Sequence, residues 1–179
     1  MPVDFNELTD RRILEDHCFF LKHDLIVDKH HQQKCSYYSQ QDHIALNLGV
    51  DFVADEFKAG LAEGLRFIAE REGPYLVHCN EGKDRAGFTS AVLEALMGAS
   101  AEEITADYMI TYFNYYGVQP DTEQYGVIAA SNIQKSLAAA FQMANIFEGD
   151  LQAAAVAYLT GIGLSAEDIA AVQAKLAAD

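Results

Sequence analysis

The sequence predicts an α/β fold in which a central sheet is flanked by helices, with a shortened N-terminal part and a C-terminal helical extension. Short apolar runs at 46–50 and 75–78 have the length of strands, and each is followed by apolar residues at helical spacing. The last third of the chain is rich in alanine and carries helix-capping signals. With 179 residues, half of them hydrophobic, the chain can bury one substantial core. We therefore assign residues 1–120 to an α/β core and residues 121–179 to helices packed on it within one structural domain.

The first 43 residues have the least regular pattern. Apolar clusters at Ile13-Leu14, Cys18–Leu21 and Leu25–Val27 predict short strands, or one helix and a strand. The region also holds five of the six histidines, namely His17, His23, His30, His31 and His43. Their spacing matches no standard metal motif, so we interpret them as solvated or edge-strand residues and expect no metal site.

Strand and helix signals then alternate up to Gly98. Leu46–Val50 is predicted to be a strand that leads into a glycine turn, and a helix is expected to begin near Asp55, its N-cap or first-turn acid. Gly73-Pro74 ends that helix, Tyr75–His78 forms the next strand, and a second helix runs to a glycine cap. The apolar faces of the two helices hold Phe57, Leu61, Leu65 and Ile68, and Phe88, Val92, Leu93 and Leu96.

An aromatic helix follows, and a capping box of Ser100 and Glu103 marks its start. Its apolar and aromatic residues are Ile104, Tyr108, Ile110, Tyr112, Phe113, Tyr115 and Tyr116. Two interpretations of this cluster remain open. The rings form core and helix-end packing, or one or two tyrosines stand at the rim of a pocket.

The rest of the chain is predicted to be helical after a connecting turn at 117–124. Residues 125–147 predict a helix that is broken, or that starts anew at Ser131-Asn132. Residues 151–176 predict a helical hairpin, with a Gly161–Gly163 turn and a cap at Ser165–Asp168. The hairpin contains no catalytic constellation, and we interpret it as a scaffold, lid or dimer element.

The stretch from His78 to Gly87 has the features of a phosphate-binding loop with a thiol at its centre. Cys79 and Arg85 are separated by five residues at the junction between an apolar strand and a helix. Such a loop turns its backbone N–H groups inward and ends at a helix N-terminus, where negative charge is favoured. Arg85 can donate to two phosphate oxygens at once, and Gly82 permits close backbone approach. The same groups stabilise the nucleophilic thiolate form of Cys79.

The pattern His78-Cys79-x-x-Gly82-x-x-Arg85-x-Gly87 resembles the signature of the cysteine-dependent protein tyrosine phosphatase superfamily. Its inner Gly82-Lys83-Asp84-Arg85 is similar to the loops of bacterial tyrosine and dual-specificity phosphatases, some of which also act on phosphoinositides. The resemblance is clearest from Ala45 to Gly117. It implies a phosphatase-type central sheet and hydrolysis of phosphate monoesters, first of all phosphotyrosine or dual-specificity substrates, without a cofactor.

The resemblance also implies a role for each loop residue. Cys79 would attack phosphorus to form a phosphocysteine that water then cleaves, and His78 would orient the loop. The phosphate oxygens would be held by the Arg85 side chain and by the backbone amides of the loop. The loop residues are Asn80, Glu81, Gly82, Lys83, Asp84 and Arg85.

A general acid is implied as well, an aspartate on a mobile loop upstream of the cysteine that protonates the leaving oxygen. Asp51 is the first candidate, because it follows a predicted strand and precedes the helix that begins near Asp55. Asp84, inside the loop, is the rival, since related enzymes with a similar loop use that position. Asp42 is a weaker candidate, because it lies before the strand.

Two positions depart from the expected loop. Superfamily members carry Ser or Thr after the arginine, and that hydroxyl helps the thiolate to leave; here the residue is Ala86. Slower breakdown of the phosphocysteine, or a substitute donor, is therefore expected. Glu81 places a carboxylate in the loop, where it should oppose a second anionic group at the pocket mouth.

The region before the expected general-acid loop is short for this resemblance. About 45 residues, at ~3.3 Å per strand residue, leave little room for the several strands and the helix that the superfamily places there. Either the sheet is shortened, or a second copy of the chain completes it. Our hypothesis is a homodimer.

Composition limits the partners. A formal charge of −15 disfavours nucleic acid and anionic membrane surfaces, which attract basic proteins. No run of eighteen apolar residues predicts a membrane span, and the N-terminus lacks the pattern of a secretory signal. Cys18, Cys35 and Cys79 form an odd set without metal spacing, which suits a reducing cytoplasm. A phosphorylated peptide or a small phosphate ester is the expected partner.

Two other functions compete with a protein phosphatase: a phosphoinositide phosphatase, and a phosphate-binding pseudophosphatase in which Ala86 and a missing acid abolish turnover. Sulfur transfer is disfavoured because five intervening residues and an arginine suit a loop of phosphate size. Arsenate reduction would need a resolving cysteine, which is not evident at close spacing.

Overall fold

The structure is a computed structural model that describes residues 20–22, 43–46, 48–73, 75–79 and 81–177. Most of the described residues are helical. The α-helices are α1 (Asp55–Glu70), α2 (Arg85–Leu96), α3 (Ala101–Tyr116), α4 (Glu123–Ala129), α5 (Lys135–Phe141), α6 (Leu151–Gly161) and α7 (Ala166–Leu176).

Three short strands of the described part form a parallel sheet. They are β1 (Phe20–Lys22), β2 (His43–Ala45) and β3 (Leu76–His78), in the order β2-β1-β3. Phe20 in the central strand pairs with His43 on one side and with Leu76 on the other. Because the strands are parallel, their carboxyl ends meet at one edge of the sheet, and ligands of open α/β sheets bind outside that edge.

The α/β prediction holds for these strands and the helices that follow them, but the described residues do not show the larger central sheet that was expected. The predicted strand Leu46–Val50 was wrong, since β2 ends at Ala45. Leu48 turns inward instead, with 7% of its surface exposed, and packs against Gly60 of α1. The apolar residues around Leu48 had predicted a strand that is buried within a sheet. The structure instead buries Leu48 against α1. The predicted elements at Ile13-Leu14 and Leu25–Val27 lie outside the described residues.

Local helix signals are confirmed. α1 begins at Asp55, which lies in its acidic first turn, where the helix dipole favours a carboxylate. At the start of α3 the backbone N–H of Glu103 donates to the Ser100 hydroxyl at 3.2 Å, and the Ser100 N–H donates to the Glu103 carboxylate at 2.8 Å. Ser165 and Asp168 form the same capping box at α7.

The predicted break at Ser131-Asn132 is a change of helix type. α4 continues into α5 through a π-helical segment, Ala130–Gln134, so no helix starts anew at these residues. Within the segment, the Ser131 hydroxyl donates to the Val127 carbonyl at 2.7 Å, a bond that loosens a helix locally. A π segment adds a residue to a helical turn and so turns the following side chains toward a different side.

The core lies between α1, α2 and the C-terminal hairpin of α6 and α7. Phe57, Phe88 and Leu159 are at most 2% exposed, and such side chains each stabilise the fold by ~1.5–3 kcal/mol. The hairpin also holds the end of α2, because Gln152 and Gln173 both donate to the Leu96 carbonyl, at 2.9 and 3.2 Å. The predicted hairpin is thus present and fastened to the helix that follows the loop.

A pair of carboxyl groups lies between α2 and α3. Glu94, in the last turn of α2, is half-buried and forms a hydrogen bond with Asp107 of α3. Burial raises the pKa of Glu94 to about 7, with a further contribution from the charge and hydrogen bond of Asp107. A negative charge is also unfavourable at the C-terminal end of a helix, so the helix dipole favours the neutral form of Glu94 in addition to burial and Asp107.

Glu94→Gln is expected to stabilise the protein at pH 8 and to change its stability little at pH 5. The folded state favours the neutral carboxyl of Glu94, so this carboxyl stabilises the wild type fully below its ordinary pKa of 4.5. The stabilisation is lost as the pH rises through about 7, the pKa of Glu94 in the folded state. Because the side chain is only half-buried, we expect a gain in the free energy of unfolding of about 1 kcal/mol at pH 8. Urea unfolding of both proteins at the two pH values measures the difference. Equal stability of the two proteins at pH 8 would contradict the prediction.

Candidate active site

The carboxyl end of β3 continues into a tight loop that reaches α2. Cys79 directly follows β3 and is half-buried, and α2 begins at Arg85. Gly82 adopts a φ of 77°, a left-handed conformation that residues with a side chain rarely take. The loop therefore places the thiol and the arginine at the N-terminus of a helix, as the sequence predicted. Asn80 lies outside the described residues, so its amide contact stays a prediction.

Arg85 is bound to the segment that precedes α1. Its Nη1 donates to the Leu48 carbonyl at 3.0 Å, 37 residues away in the sequence. Its Nε is buried and has no hydrogen-bond partner among the described residues. A buried donor without an acceptor costs about 1–3 kcal/mol. A phosphate oxygen at the loop is an acceptor that would remove this cost, so the guanidinium fits an oxyanion.

Aromatic stacking holds the same segment against α2. The ring of Phe52 lies parallel to that of Phe88, with an interplanar angle of 1° and centroids 4.3 Å apart. Phe57 meets both rings edge-on, at 5.1 and 5.5 Å. Since Phe52 is adjacent to Asp51 and Phe88 lies one turn after Arg85, the candidate acid and the arginine belong to one packed unit.

Both candidate general acids line one cleft of about 550 Å³. Asp51 is exposed, and its Oδ1 accepts a hydrogen bond from the Val53 N–H at 3.2 Å. Both oxygens of Asp84 accept from Lys83 Nζ, at 2.7 and 3.0 Å. The structure therefore brings Asp51 and Asp84 to the same cleft, whereas Asp42 lies outside the described residues.

Charges within the loop balance each other. Lys83 Nζ lies 2.7 Å from Asp84 Oδ2 and 3.7 Å from Glu81 Oε2. Burial opposes the charge of Lys83, but the hydrogen bond and charge of Asp84, with the charge of Glu81, outweigh burial and hold the pKa of Lys83 above its ordinary value. The resemblance placed Lys83 among the residues that hold phosphate, whereas here its charge is shared between two carboxylates.

Tyrosines of α3 contact both the base and the rim of the loop. Tyr108 is 8% exposed, and a Cβ at Gly87 would lie only 2.9 Å from its ring. The Tyr116 hydroxyl donates to Glu81 Oε2 at 2.7 Å, and its side chain is 53% exposed. Both open interpretations of the aromatic cluster therefore apply, since Tyr108 packs in the core and Tyr116 stands at the loop rim.

The loops that this one resembles carry a hydroxyl directly after the arginine, where this chain has Ala86. Thr89, one turn further along α2, does not replace that hydroxyl. Ala86 is 6% exposed, and the Thr89 hydroxyl donates to the Arg85 carbonyl at 2.9 Å, within the helix itself. His78 ends β3 and is half-buried, and its predicted role in orienting the loop stays a prediction.

Sequence reasoning missed two contributors to this site. The Leu48 carbonyl had no signal, because a backbone group carries none in the sequence. Asn132, which lines the cleft, was treated as a helix break, and its placement follows from the π segment. A signal did exist for the loop contacts of α3, since Tyr108, Tyr112 and Tyr116 recur every four residues.

The described part of the chain contains neither a candidate metal site nor a candidate membrane span. No group of three or more His, Cys, Asp or Glu side chains there could hold a metal ion. None of the described helices is long and apolar enough to cross a membrane. The side chains of the N-terminal histidines lie outside the described residues.

Comparison with known proteins gives a match at the level of the family. A family model described as the tyrosine phosphatase family matches residues 17–178. No curated protein and no solved structure matches the chain. The matched range includes the loop from His78 to Gly87 and extends well beyond Gly117, where the resemblance in the sequence had weakened, to cover the C-terminal hairpin.

Glu81→Gln is expected to strengthen binding of inorganic phosphate about threefold, because it removes one exposed negative charge from the loop and releases part of Lys83. Isothermal titration with phosphate measures the affinity. Glu63→Gln is the matched control, since it removes the same charge from an exposed position on α1. Unchanged or weaker phosphate binding in Glu81→Gln would show that the loop carboxylate does not oppose the anion.

Proposed function

The chain belongs to the tyrosine phosphatase family, and from this premise we propose that it hydrolyses phosphate monoesters, first of all phosphotyrosine or dual-specificity substrates, through a phosphocysteine intermediate. One observation supports this most strongly. A half-buried thiol and a half-buried arginine stand at the two ends of one strand–loop–helix junction, and the buried Nε of the arginine has no acceptor among the described residues. The phosphatase-type central sheet belongs to the same proposal.

The reaction has two displacements at phosphorus. The Cys79 thiolate attacks, a P–S bond forms, and the P–O bond to the substrate breaks while an aspartic acid gives its proton to the leaving oxygen. Water then attacks phosphorus and gives a proton to the aspartate carboxylate, the P–S bond breaks, the thiolate and the aspartic acid are restored, and inorganic phosphate is released. Arg85 and the inward-facing loop amides stabilise the charge on the transferred phosphoryl oxygens in both steps.

We assign the proton donor to Asp51. Asp84 engages both of its oxygens with Lys83, so it would have to break two short hydrogen bonds before reaching a leaving group. Asp51 engages only Oδ1, and its Oδ2 has no partner within the described part of the chain. Asp51 also lies on the segment that Arg85 and the Phe52 stack hold beside the loop.

Two alternative functions each have an observation in their favour. A phosphoinositide, which carries further anionic groups, is favoured by Lys135, a cleft residue that forms no ion pair with any described residue. A pseudophosphatase is favoured by Ala86, because the hydroxyl that assists thiolate departure is missing and Thr89 does not replace it. A homodimer and a cytoplasmic location remain predictions from the sequence, and mass measurement across a dilution series tests the first.

Cys79→Ser is expected to lower kcat for p-nitrophenyl phosphate by at least about 10³-fold and to retain binding of inorganic phosphate, because only the nucleophile is lost. Phosphate release and isothermal titration measure the two properties. Cys35→Ser is the control, since it removes another thiol of the chain and should leave the rate unchanged. Wild-type protein that binds phosphate but releases none from the ester would instead establish the pseudophosphatase.

Asp51→Asn is expected to lower kcat about 100-fold for phenyl phosphate, whose leaving group needs a proton, and much less for p-nitrophenyl phosphate. The fall in rate at high pH, which reports loss of the acidic proton, should disappear with it. Asp84→Asn is the matched variant, because it makes the same change in the same cleft. If Asp84→Asn shows the leaving-group dependence and Asp51→Asn does not, the proton donor is Asp84.

A further inference from the structure

Three tyrosines form a ladder along one face of α3. Tyr108, Tyr112 and Tyr116 recur every four residues, a spacing that places side chains above one another on a helix. Their ring centroids are 5.7 and 5.6 Å apart in succession. We call these three residues the tyrosine ladder, and its rings follow the phosphate-binding loop from base to rim.

The first ring of the ladder lies at the base of the loop. A Cβ at Gly87 would lie 2.9 Å from the Tyr108 ring and 3.1 Å from the Gly82 carbonyl, so helix, loop and ring meet at this point with no room for a side chain. Burial, then the neighbouring Tyr112 and the charges of Asp84 and Cys79, hold the pKa of Tyr108 above its ordinary value. Tyr108 therefore lies against the base of the loop and remains a neutral hydroxyl.

The other two rings reach the middle and the rim of the loop. Burial lowers the pKa of Lys83, but the hydrogen bond and charge of the adjacent Asp84, followed by the electrostatic interaction with Tyr112, raise it above its ordinary value, so Tyr112 lies near the middle of the loop. Tyr116 donates to Glu81 at 2.7 Å. The ladder thus follows one loop along its length, and a shift of its middle ring would be transmitted to both neighbouring rings through ring contact.

The middle ring is anchored from outside α3. Asn132 Nδ2 donates to the Tyr112 hydroxyl at 2.9 Å, across 20 residues of sequence. Asn132 lies within the π-helical segment, whose neighbour Ile133 is 1% exposed and so fixes the segment in the core. π-Helical turns are uncommon in proteins and are frequent at functional sites, where the extra residue directs a side chain that a regular helix would point elsewhere.

We propose that Asn132 is a positioning residue, which holds Tyr112 and through the tyrosine ladder keeps the loop in the geometry that receives an oxyanion. The inference rests on the proposed function, because it concerns the same loop. Donors fixed in advance stabilise transition-state charge without reorganising, and a small displacement of them lowers the rate strongly. The π segment is thereby part of the site, although it does not touch the reacting atoms.

Gln134 offers a matched control from the same π segment. Its Nε2 reaches Thr105 of α3 at 3.5 Å, so it connects the same two elements without touching the tyrosine ladder. Gln134→Ala removes a contact between segment and helix and leaves the bond of Asn132 in place. Tyr115→Phe is the second control, because Tyr115 is a 62% exposed tyrosine of α3, and the change keeps its ring, which lies 6.1 Å from that of Tyr116.

The test compares Asn132→Ala, Tyr112→Phe and the double variant with these controls. Both single variants should lower kcat for p-nitrophenyl phosphate about tenfold with KM nearly unchanged. The double variant should be no slower than the slower single variant, because all three lose the same hydrogen bond. Gln134→Ala and Tyr115→Phe should keep kcat within about twofold of the wild-type value, which is the size of change expected where a substitution is not coupled to the site.

A second readout does not require turnover. The rates at which iodoacetate and iodoacetamide alkylate Cys79, followed by mass spectrometry of the peptide that carries it, form a ratio that reports anion attraction by the loop. We expect this ratio to fall about threefold in Asn132→Ala and Tyr112→Phe, and to hold in the controls. Because iodoacetamide has nearly the same shape without the charge, a general opening of the loop would raise both rates together.

The outcomes separate the positioning role from the proposed function. If the wild type has no phosphatase activity but the alkylation ratio still falls in both variants, the positioning role is supported and the proposed enzymatic function is wrong. An active wild type whose variants behave like Gln134→Ala would overturn the positioning role alone. If Asn132→Ala fails to fold, Tyr112→Phe decides by itself, because it keeps the ring and loses only the hydroxyl.

Discussion

The hydrogen bond from Arg85 Nη1 to the Leu48 carbonyl is the contact on which the site depends. The acceptor is a backbone carbonyl three residues after the end of β2, where the chain has left the sheet. The bond therefore ties the segment that carries Asp51 to the arginine of the loop. Lysine could not replace the arginine, because one guanidinium donates to Leu48 and still presents further N–H groups to an anion from a fixed plane. The stacked ring of Phe52 on Phe88 then prevents the segment from moving away from α2.

In the proposed function, the loop receives a phosphate anion without a net positive charge of its own. Glu81 and Asp84 balance Lys83 and Arg85, within a chain whose formal charge is −15. Recognition must therefore come from directed donors, namely the loop amides, the N-terminus of α2 and the guanidinium, which act at short range. Such a site discriminates by shape, since a tetrahedral oxyanion meets several donors at once and a diffuse anionic surface meets few. It is the arrangement expected of a pocket for one phosphate group.

The parts predicted from the sequence are those fixed by near neighbours. The Ser100–Glu103 capping box, the start of α1 and the strand–loop–helix junction that holds Cys79 and Arg85 each arise within a few residues, and each was found as predicted. The acceptor of Arg85 and the partner of Glu81 were not foreseen, because these contacts join residues 37 and 35 positions apart in the sequence. The π segment was taken for a break, since the polar Ser131-Asn132 pair looks the same in the sequence whether a helix stops or widens.

The C-terminal hairpin bears on the site through α2. This helix is about 18 Å long at 1.5 Å per residue, carries Arg85 at one end, and at the other has its Leu96 carbonyl bound by Gln152 and Gln173 of the hairpin. A short stiff helix held at its far end cannot tilt without moving its N-terminus, so the hairpin limits where the arginine can point. The tyrosine ladder supports the same loop from α3. The family match extends through residue 178 and therefore covers the hairpin as well as the loop.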